Sequence, residues 1–325
     1  MAAMPTLRSP FPSVHMTSSA KRVTAPDLPA QHDLLGVSYY VDEKHSVADP
    51  QRKQANNAAM EPIRNFARTV SALADKSEEG AGEAAIKLLA RWAAQDALLG
   101  EVNRQGASER EWTLCALALA YLKVRDIDGL DTEKQQVEKW FVTLAHSIQP
   151  MYETPPSRWN NHAYWAGLAV SATGIAANDR QLFDWGMIRA RAGVDAVQDD
   201  GTLPLEMKRG QRAILYHLFA LTPLVMLAEI GAANGEDLYQ LNNRGISRLV
   251  DRLVRGLSDP DWFSQQAGVR QESLNNANSQ DFAWMEPYYA RFHDARLLPW
   301  LQLKRPLIAI TAGGNLTQMY GEKPH

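Results

Sequence analysis

The chain carries one cysteine, Cys115, in 325 residues. One thiol forms no internal disulfide and supplies no CxxC metal pair; within the apolar run 114–122 it reads as a small buried hydrophobe. No run of about eighteen apolar residues is present, so no membrane-spanning helix is expected. Net charge is slight: 34 Lys+Arg stand against 37 Asp+Glu, a formal −3. Nothing overall favours nucleic acid or an anionic membrane surface, and a polyanionic ligand would need a local basic cleft. His45, His146 and His293 have no metal-ligand spacing to one another. Walker and Rossmann glycine patterns and a G-x-S-x-G elbow are missing too, so neither a metal nor a cofactor is expected. The first twenty residues are rich in Pro and Ser and lack an apolar h-region, so they do not read as a signal peptide.

What is there is helical. Strand-type alternation is rare, and no fixed internal period marks a repeat array. Residues 1–33 read as an extended arm and 34–56 as a polar loop of the kind that often forms a lid. From 58 onward Met60, Ile63, Phe66, Val70 and Leu73 recur at three- and four-residue steps. Further helices are expected over 85–97, 109–123, 132–147, 163–176, 180–197, 205–230, 238–257 and 282–298. The segment 205–230 is the longest of them, with Pro223 as a kink point. Residues 258–280 read as irregular, and 306–317 as either a short helix or a loop. With 45% hydrophobic residues and no linker, one helical domain over 34–325 is expected, closed as a bundle, a solenoid or a toroid of hairpins.

Two stretches carry chemistry. Residues 158–165 bring Asn160, Asn161, His162, Tyr164 and Trp165 together. Residues 205–219 bring Arg209, Arg212 and Tyr216. On a continuous helix Arg212 lies about 60° from Arg209, and Tyr216 about 20° from it, so one face presents two guanidinium groups and a phenol. His217 points about 100° away from Tyr216 and reads as structural.

This set suits proton abstraction next to a carboxylate, as at C5 of a uronic acid. The carboxylate must be neutralised, which suits Asn161 and Arg209. A proton must be taken and another returned to the leaving glycosidic oxygen, which suits His162 and Tyr216. Arg209 and Arg212 beside Tyr216 are expected to favour its phenolate. Trp112, Trp165, Trp284, Tyr288 and Tyr289 are candidates to stack on sugar rings. Asn103, Gln105, Arg110, Arg291 and Arg305 are candidates to meet sugar hydroxyls or further carboxylates.

Trp159-Asn160-Asn161-His162-x-Tyr164-Trp165 resembles the NNHxYW signature of the alginate lyase family. The stretch from Leu203-Pro204-Leu205-Glu206 through Arg209, Arg212 and Ala213 to Tyr216-His217 is similar to the family's second signature. Tyr39-Tyr40-x-Asp42-x-Lys44-His45-Ser46-x-x-Asp49-Pro50 resembles its N-terminal lid. The matches run in family order from about residue 30 to about residue 300. The resemblance implies an all-α fold, an incomplete α/α toroid with a deep cleft under a lid loop. It implies a catalytic set of Asn161, His162, Arg209 and Tyr216. Substrate contacts are expected at Tyr39, Tyr40, Lys44, Arg110, Trp165, Arg212, Tyr289 and Arg305. The partner implied is an anionic polysaccharide: mannuronate-rich alginate and, by shared chemistry, poly-glucuronate or hyaluronan. A monomer in the periplasm or outside the cell is expected. Two other readings stay open. A glycoside hydrolase would need a pair of carboxylates, offered by Glu206, Asp199 and Asp200. A non-catalytic polysaccharide-binding protein would bind without forming product.

Overall fold

The computed structural model describes residues 5–11, 22–42, 47–274 and 277–321. Its longest helix is the first, α1 (Pro50–Asp75). The Asp49 carboxylate accepts from the Gln51 and Arg52 N–H groups, and Pro50 occupies a first-turn position where no N–H is needed. The polar loop ahead of it therefore ends at 49 rather than 56. Helices α2 (Ala81–Ala93), α3 (Arg104–Val124), α4 (Asp131–Ile148), α5 (Asn161–Ala176) and α6 (Arg180–Asp195) follow close to expectation. The described parts of the first 33 residues are extended and anchored. Leu7 and Phe11 are buried, and the Leu7 N–H donates to Asn178 Oδ1 at 2.9 Å.

The expected helix over 205–230 is two helices, α7 (Pro204–Met207) and α8 (Ala213–Ala233). Between them Gly210 takes φ +60°, a left-handed conformation that Gly tolerates and that ends the α-helical run. The break is held from a distance: Gln271 Nε2 donates to Gly210 O at 2.9 Å, and Gln271 Oε1 accepts from the Ile214 N–H at 3.1 Å. One side chain thus satisfies an orphan donor at the head of α8 and a carbonyl in the turn. The 24-residue segment Gly210–Ala233 is apolar and long enough to cross a membrane by composition alone, but 83% of its most apolar window is buried inside the fold. Beyond it come α9 (Leu241–Ser258) and α10 (Asp261–Ala267), the latter inside the stretch read as irregular. The expected helix over 282–298 is broken at His293, whose φ is +49°, into α11 (Met285–Phe292) and α12 (Leu298–Lys304). Residues 306–317 form a small hairpin, β1 (Ile308–Ala309) and β2 (Gly314–Asn315), pairing Ile308 with Asn315 and Ala309 with Gly314. A short α13 (Leu316–Tyr320) follows.

The helices alternate between two layers. α1, α3, α5 and α8 pack in sequence as an inner row, with α11 beyond α8; α2 packs on α4, and α6 on α9, outside them. This is the incomplete α/α toroid. Its inner members α5 and α8 are apolar nearly all round because they are covered on almost all sides. Every residue of α5 is buried except His162. On α8 the residues that reach the open side are Leu215, Tyr216 and Phe219, spaced one and three apart on a single face.

The α5–α6 contact relies on a missing side chain. A Cβ on Gly186 would stand 2.0 Å from Ser171 Oγ and 2.2 Å from Gly167 O, both on α5. Gly186→Ala should therefore force the two helices apart and destabilise the protein by about 2–3 kcal/mol. Urea unfolding would measure it, and a loss below about 0.5 kcal/mol would contradict this account of the packing.

Candidate active site

The inner row frames a cleft of about 1020 Å³. Its walls come from the loop before α1, from α1, α3, the heads of α5 and α8, and the hairpin, which contributes Ile310 and Thr311. His162 enters from the first turn of α5, whose cap is Asn160: the Asn160 side chain accepts from the His162 N–H at 3.1 Å. The imidazole lies nearly parallel to the Trp112 indole, with centroids 5.7 Å apart and planes at 24°. Phe219 meets the same indole edge-on at 6.2 Å.

Opposite stands Tyr216. Arg209 lies over its ring at 4.5 Å and Arg212 at 5.5 Å. The two guanidinium groups flank the phenol as expected, but by another route: Arg209 leaves the α7–α8 turn while Arg212 precedes α8, so no shared helix face is involved. The loop before α1 folds back over them. Val41 N–H donates to Val47 O at 3.0 Å and Asp49 N–H to Tyr39 O at 2.8 Å. This brings Tyr40 Oη to 2.7 Å from Arg212 Nη1 and 3.2 Å from Tyr216 Oη. Tyr39 packs on Tyr40 with centroids 4.7 Å apart, and its pKa is pushed up to about 12, chiefly by burial. Lys44 lies outside the described residues.

The expected phenolate is not what this arrangement favours. Burial, reinforced by the neighbouring Tyr40 hydroxyl, raises the Tyr216 pKa well above that of a free phenol; the guanidinium groups pull it down by less. This arrangement favours Tyr216 as a neutral phenol.

Asn161 is fully buried behind His162. Its backbone N–H donates to Glu206 Oε1 at 2.8 Å, and its Nδ2 to Glu206 Oε2 at 2.9 Å. Arg209 Nε stands 3.9 Å from the same Oε2. Glu206 is itself fully buried, so it does not flank a bond in the open cleft; burial raises its pKa to about 6 against the pull of Asn161 and Arg209. Asp199 and Asp200 are exposed, on a turn away from the cleft lining.

Four expected substrate contacts lie elsewhere. Trp165 is four residues on from Asn161 and shares its buried face; its Nε1 donates to Phe219 O at 3.2 Å. Arg110 is buried, with Nη2 on Ser147 O at 3.3 Å. Tyr289 packs against His293, and Arg305 makes two 2.8 Å hydrogen bonds to the buried Glu286. Likewise Trp284 and Tyr288 are core, and Arg291 pairs with Glu229. In their place α1 lines the cleft with Lys53, Asn57, Arg64 and Arg68. The spacing of four, seven and four is a single helix face, flanking the apolar stripe, and was readable once the helix start at 50 was seen.

The fold and this cleft define a class, the incomplete α/α toroids with a basic, aromatic-walled cleft. The chain belongs to the alginate lyase family: that family's model, described as alginate lyase, matches residues 33–263. A protein of Stenotrophomonas maltophilia named polysaccharide lyase is 36% identical over 317 residues, 95% of this chain and 94% of that one. An alginate lyase of Pseudomonas fluorescens is 38% identical over 220 residues, 66% of this chain and 59% of its own length. Alginate lyase A1-III from Sphingomonas species A1 superposes with a TM-score of 0.77 at 23% identity, covering 98% of this chain and 89% of that one. A variant of alginate lyase A1-III complexed with tetrasaccharide gives 0.82 at 24%, covering 94% and 86%. At that identity the likeness is one of fold.

His217, on the buried side of α8, holds the turn in place. Its Nδ1 bonds Ala213 O at 2.7 Å, and its Nε2 accepts the Leu203 N–H at 2.9 Å. Full burial pushes its pKa down from 6.5 to about 4. A base depressed in this way adds stability above its unfolded pKa and loses it as pH falls through the folded one. Acidification from 6.5 to 4 should thus remove up to about 3 kcal/mol of His217-dependent stability. Glu206, raised to about 6, acts in the opposite sense in part of that window, so the measurement is a difference. Unfolding of wild type and His217→Gln across this range should show a shallower acid slope in the variant. Equal slopes would place the titration elsewhere.

Proposed function

We propose that the chain cleaves 1,4-linked polyuronates by β-elimination, leaving a 4,5-unsaturated uronate end, with mannuronate-rich alginate as the first substrate to test. The observation that carries this is the Tyr216 hydroxyl flanked by Arg209 and Arg212 in the same cleft as His162. Binding alone does not need an acid and a base in one cleft, and the carboxylates offered for hydrolysis are buried or remote.

In this reading Arg209 and Asn161 take the charge that grows on the substrate carboxylate as C5–H is removed. Tyr216, a neutral phenol in the empty cleft, is ready to protonate the leaving oxygen. In mannuronate the hydrogen and the leaving oxygen lie on one side of the ring, so Tyr216 can serve as both base and acid. It must first give its proton to solvent, and displacement of the Tyr40 hydroxyl, one of the two influences that keep it neutral, favours that loss. For sugars that present the hydrogen on the other side, His162 is the base and Tyr216 the acid. Location in the periplasm or outside the cell, and action as a monomer, remain parts of this proposal; cell fractionation and light scattering test them.

A panel of purified polyuronates assayed for ultraviolet-absorbing product tests the reaction. Tyr216→Phe should abolish product on every polymer with the fold intact, because it removes one hydroxyl. Arg209→Ala should lower kcat at least about 100-fold, the loss of about 3–4 kcal/mol of transition-state stabilisation. His162 replacements should differ in severity from sugar to sugar. Substantial lyase activity in folded Tyr216→Phe would sink the mechanism.

A further inference from the structure

Asn161 faces the wrong way for its task. To neutralise a substrate carboxylate it must offer Nδ2, but Nδ2 is turned to Glu206, and Oδ1, the other end of the amide, is buried with no hydrogen-bond partner among the described residues. A carboxylate arriving on the side away from Glu206 would meet an acceptor. Turning the amide over presents Nδ2, but it also sets Oδ1 against Glu206 Oε2, which is repulsive while Glu206 is ionised.

We propose, resting on the lyase reading, that Glu206 is a positioning residue that takes up a proton when a polyuronate binds, and that this proton turns Asn161 toward the substrate. The step balances simply: a solvent proton goes to Glu206 Oε2, and Oε2–H then donates to Asn161 Oδ1. Oε1 keeps the Asn161 backbone N–H it already accepts, and Nδ2 donates to the substrate carboxylate. The proton returns to solvent when product leaves. The same event releases Arg209, whose Nε is 3.9 Å from Oε2, to pair with the substrate instead.

The surroundings fit such a change. Among the described residues, the charged and titratable groups facing Glu206 are Arg209, on the turn after α7, and Tyr164, on α5. His217 of α8 touches the same turn through the Leu203 N–H. Among the described residues Arg209 supplies the positive charge there, and an incoming uronate competes for it. A second carboxylate beside a buried one favours protonation, from a starting pKa of about 6.

The test uses Tyr216→Phe, which should hold substrate uncleaved, and a mannuronate oligosaccharide in titration calorimetry. Runs in buffers of different ionisation enthalpy count the protons. Uptake should be largest above about pH 6, within the range where Glu206 is ionised in the free protein, and fall toward zero at about pH 5, where it is already protonated. Adding Glu206→Gln should abolish uptake yet preserve binding. Its Nε2 mimics Oε2–H toward Asn161 Oδ1, and its Oε1 still accepts the Asn161 N–H. No uptake in Tyr216→Phe, or unchanged uptake with Glu206→Gln present, overturns the proposal. Should the double variant not fold, an infrared difference spectrum of Tyr216→Phe decides. A protonated-carboxyl band gained on binding supports the proposal, and its absence overturns it. Wild-type release of ultraviolet-absorbing product tests the lyase reading separately.

Discussion

The contact on which the site depends is the one between Glu206 and the head of α5. An isolated buried carboxylate costs several kcal/mol in lost hydration, and breaking its contacts would leave that cost unopposed. Here it is offset by the Asn161 N–H, the Asn161 amide, the nearby Arg209 and the positive end of the α5 dipole. The arrangement fixes the distance between two segments that are far apart in sequence. α5 cannot shift along its axis without abandoning the charge at its first turn. The turn that launches Arg209 cannot shift without exposing Glu206 to unpaired burial. His162 and Tyr216 inherit their mutual placement from that contact, each being a cleft-facing residue of a helix otherwise locked in the core.

Electrostatics then follow from where charges are allowed to stand. The whole chain is slightly acidic, yet Lys53, Arg64, Arg68, Arg104, Arg209 and Arg212 line the cleft against Glu109, Glu272 and Asp281. The carboxylates do not cancel this field so much as aim it. Glu109 accepts from Arg64 Nε at 3.2 Å, and Glu272 stands 3.4 Å from Arg212 Nε, fixing the direction of each guanidinium. Donors oriented in advance need no reorganisation when charge develops. A concave basic wall on a slightly acidic protein also concentrates a polyanion locally without making the rest of the surface sticky.

The sequence carries the inner helices plainly because their signal is local. A segment such as 163–176, apolar on every side, can only be an interior helix of a large core. The His-Tyr-Arg constellation was legible because its residue types are rare together. What escaped depends on partners far along the chain. The break at Gly210 is stabilised by Gln271, about sixty residues on, and nothing in 205–230 announces it. Arg305 and Arg110 look like free cations until Glu286 and the Ser147 carbonyl are brought beside them. Two misses were avoidable. Asp49-Pro50 is a helix start on its face. Trp165, one helical turn beyond Asn161, had to share the buried side with it once His162 was given the open one.

The position of His162 shows how, on the proposed reading, a reaction that creates charge would sit in an apolar wall. Around it stand Trp112, Phe219 and the closed flank of α5, surfaces that exclude water and lower the local dielectric. In such surroundings an attraction between guanidinium and carboxylate is stronger than at a wet surface, and a lone ion is penalised more. On the proposed reading, substrate charge must therefore be met by groups already present, and Arg209, Arg212, Lys53, Arg68 and Arg104 stand along the wall to meet it. The same low dielectric keeps Tyr216 neutral while the cleft is empty. A phenolate waiting there would be an unpaired anion beside a substrate that is itself anionic. On the proposed reading, a neutral phenol would admit the carboxylate first, so catalytic charge would be created only where a cation is in place to hold it.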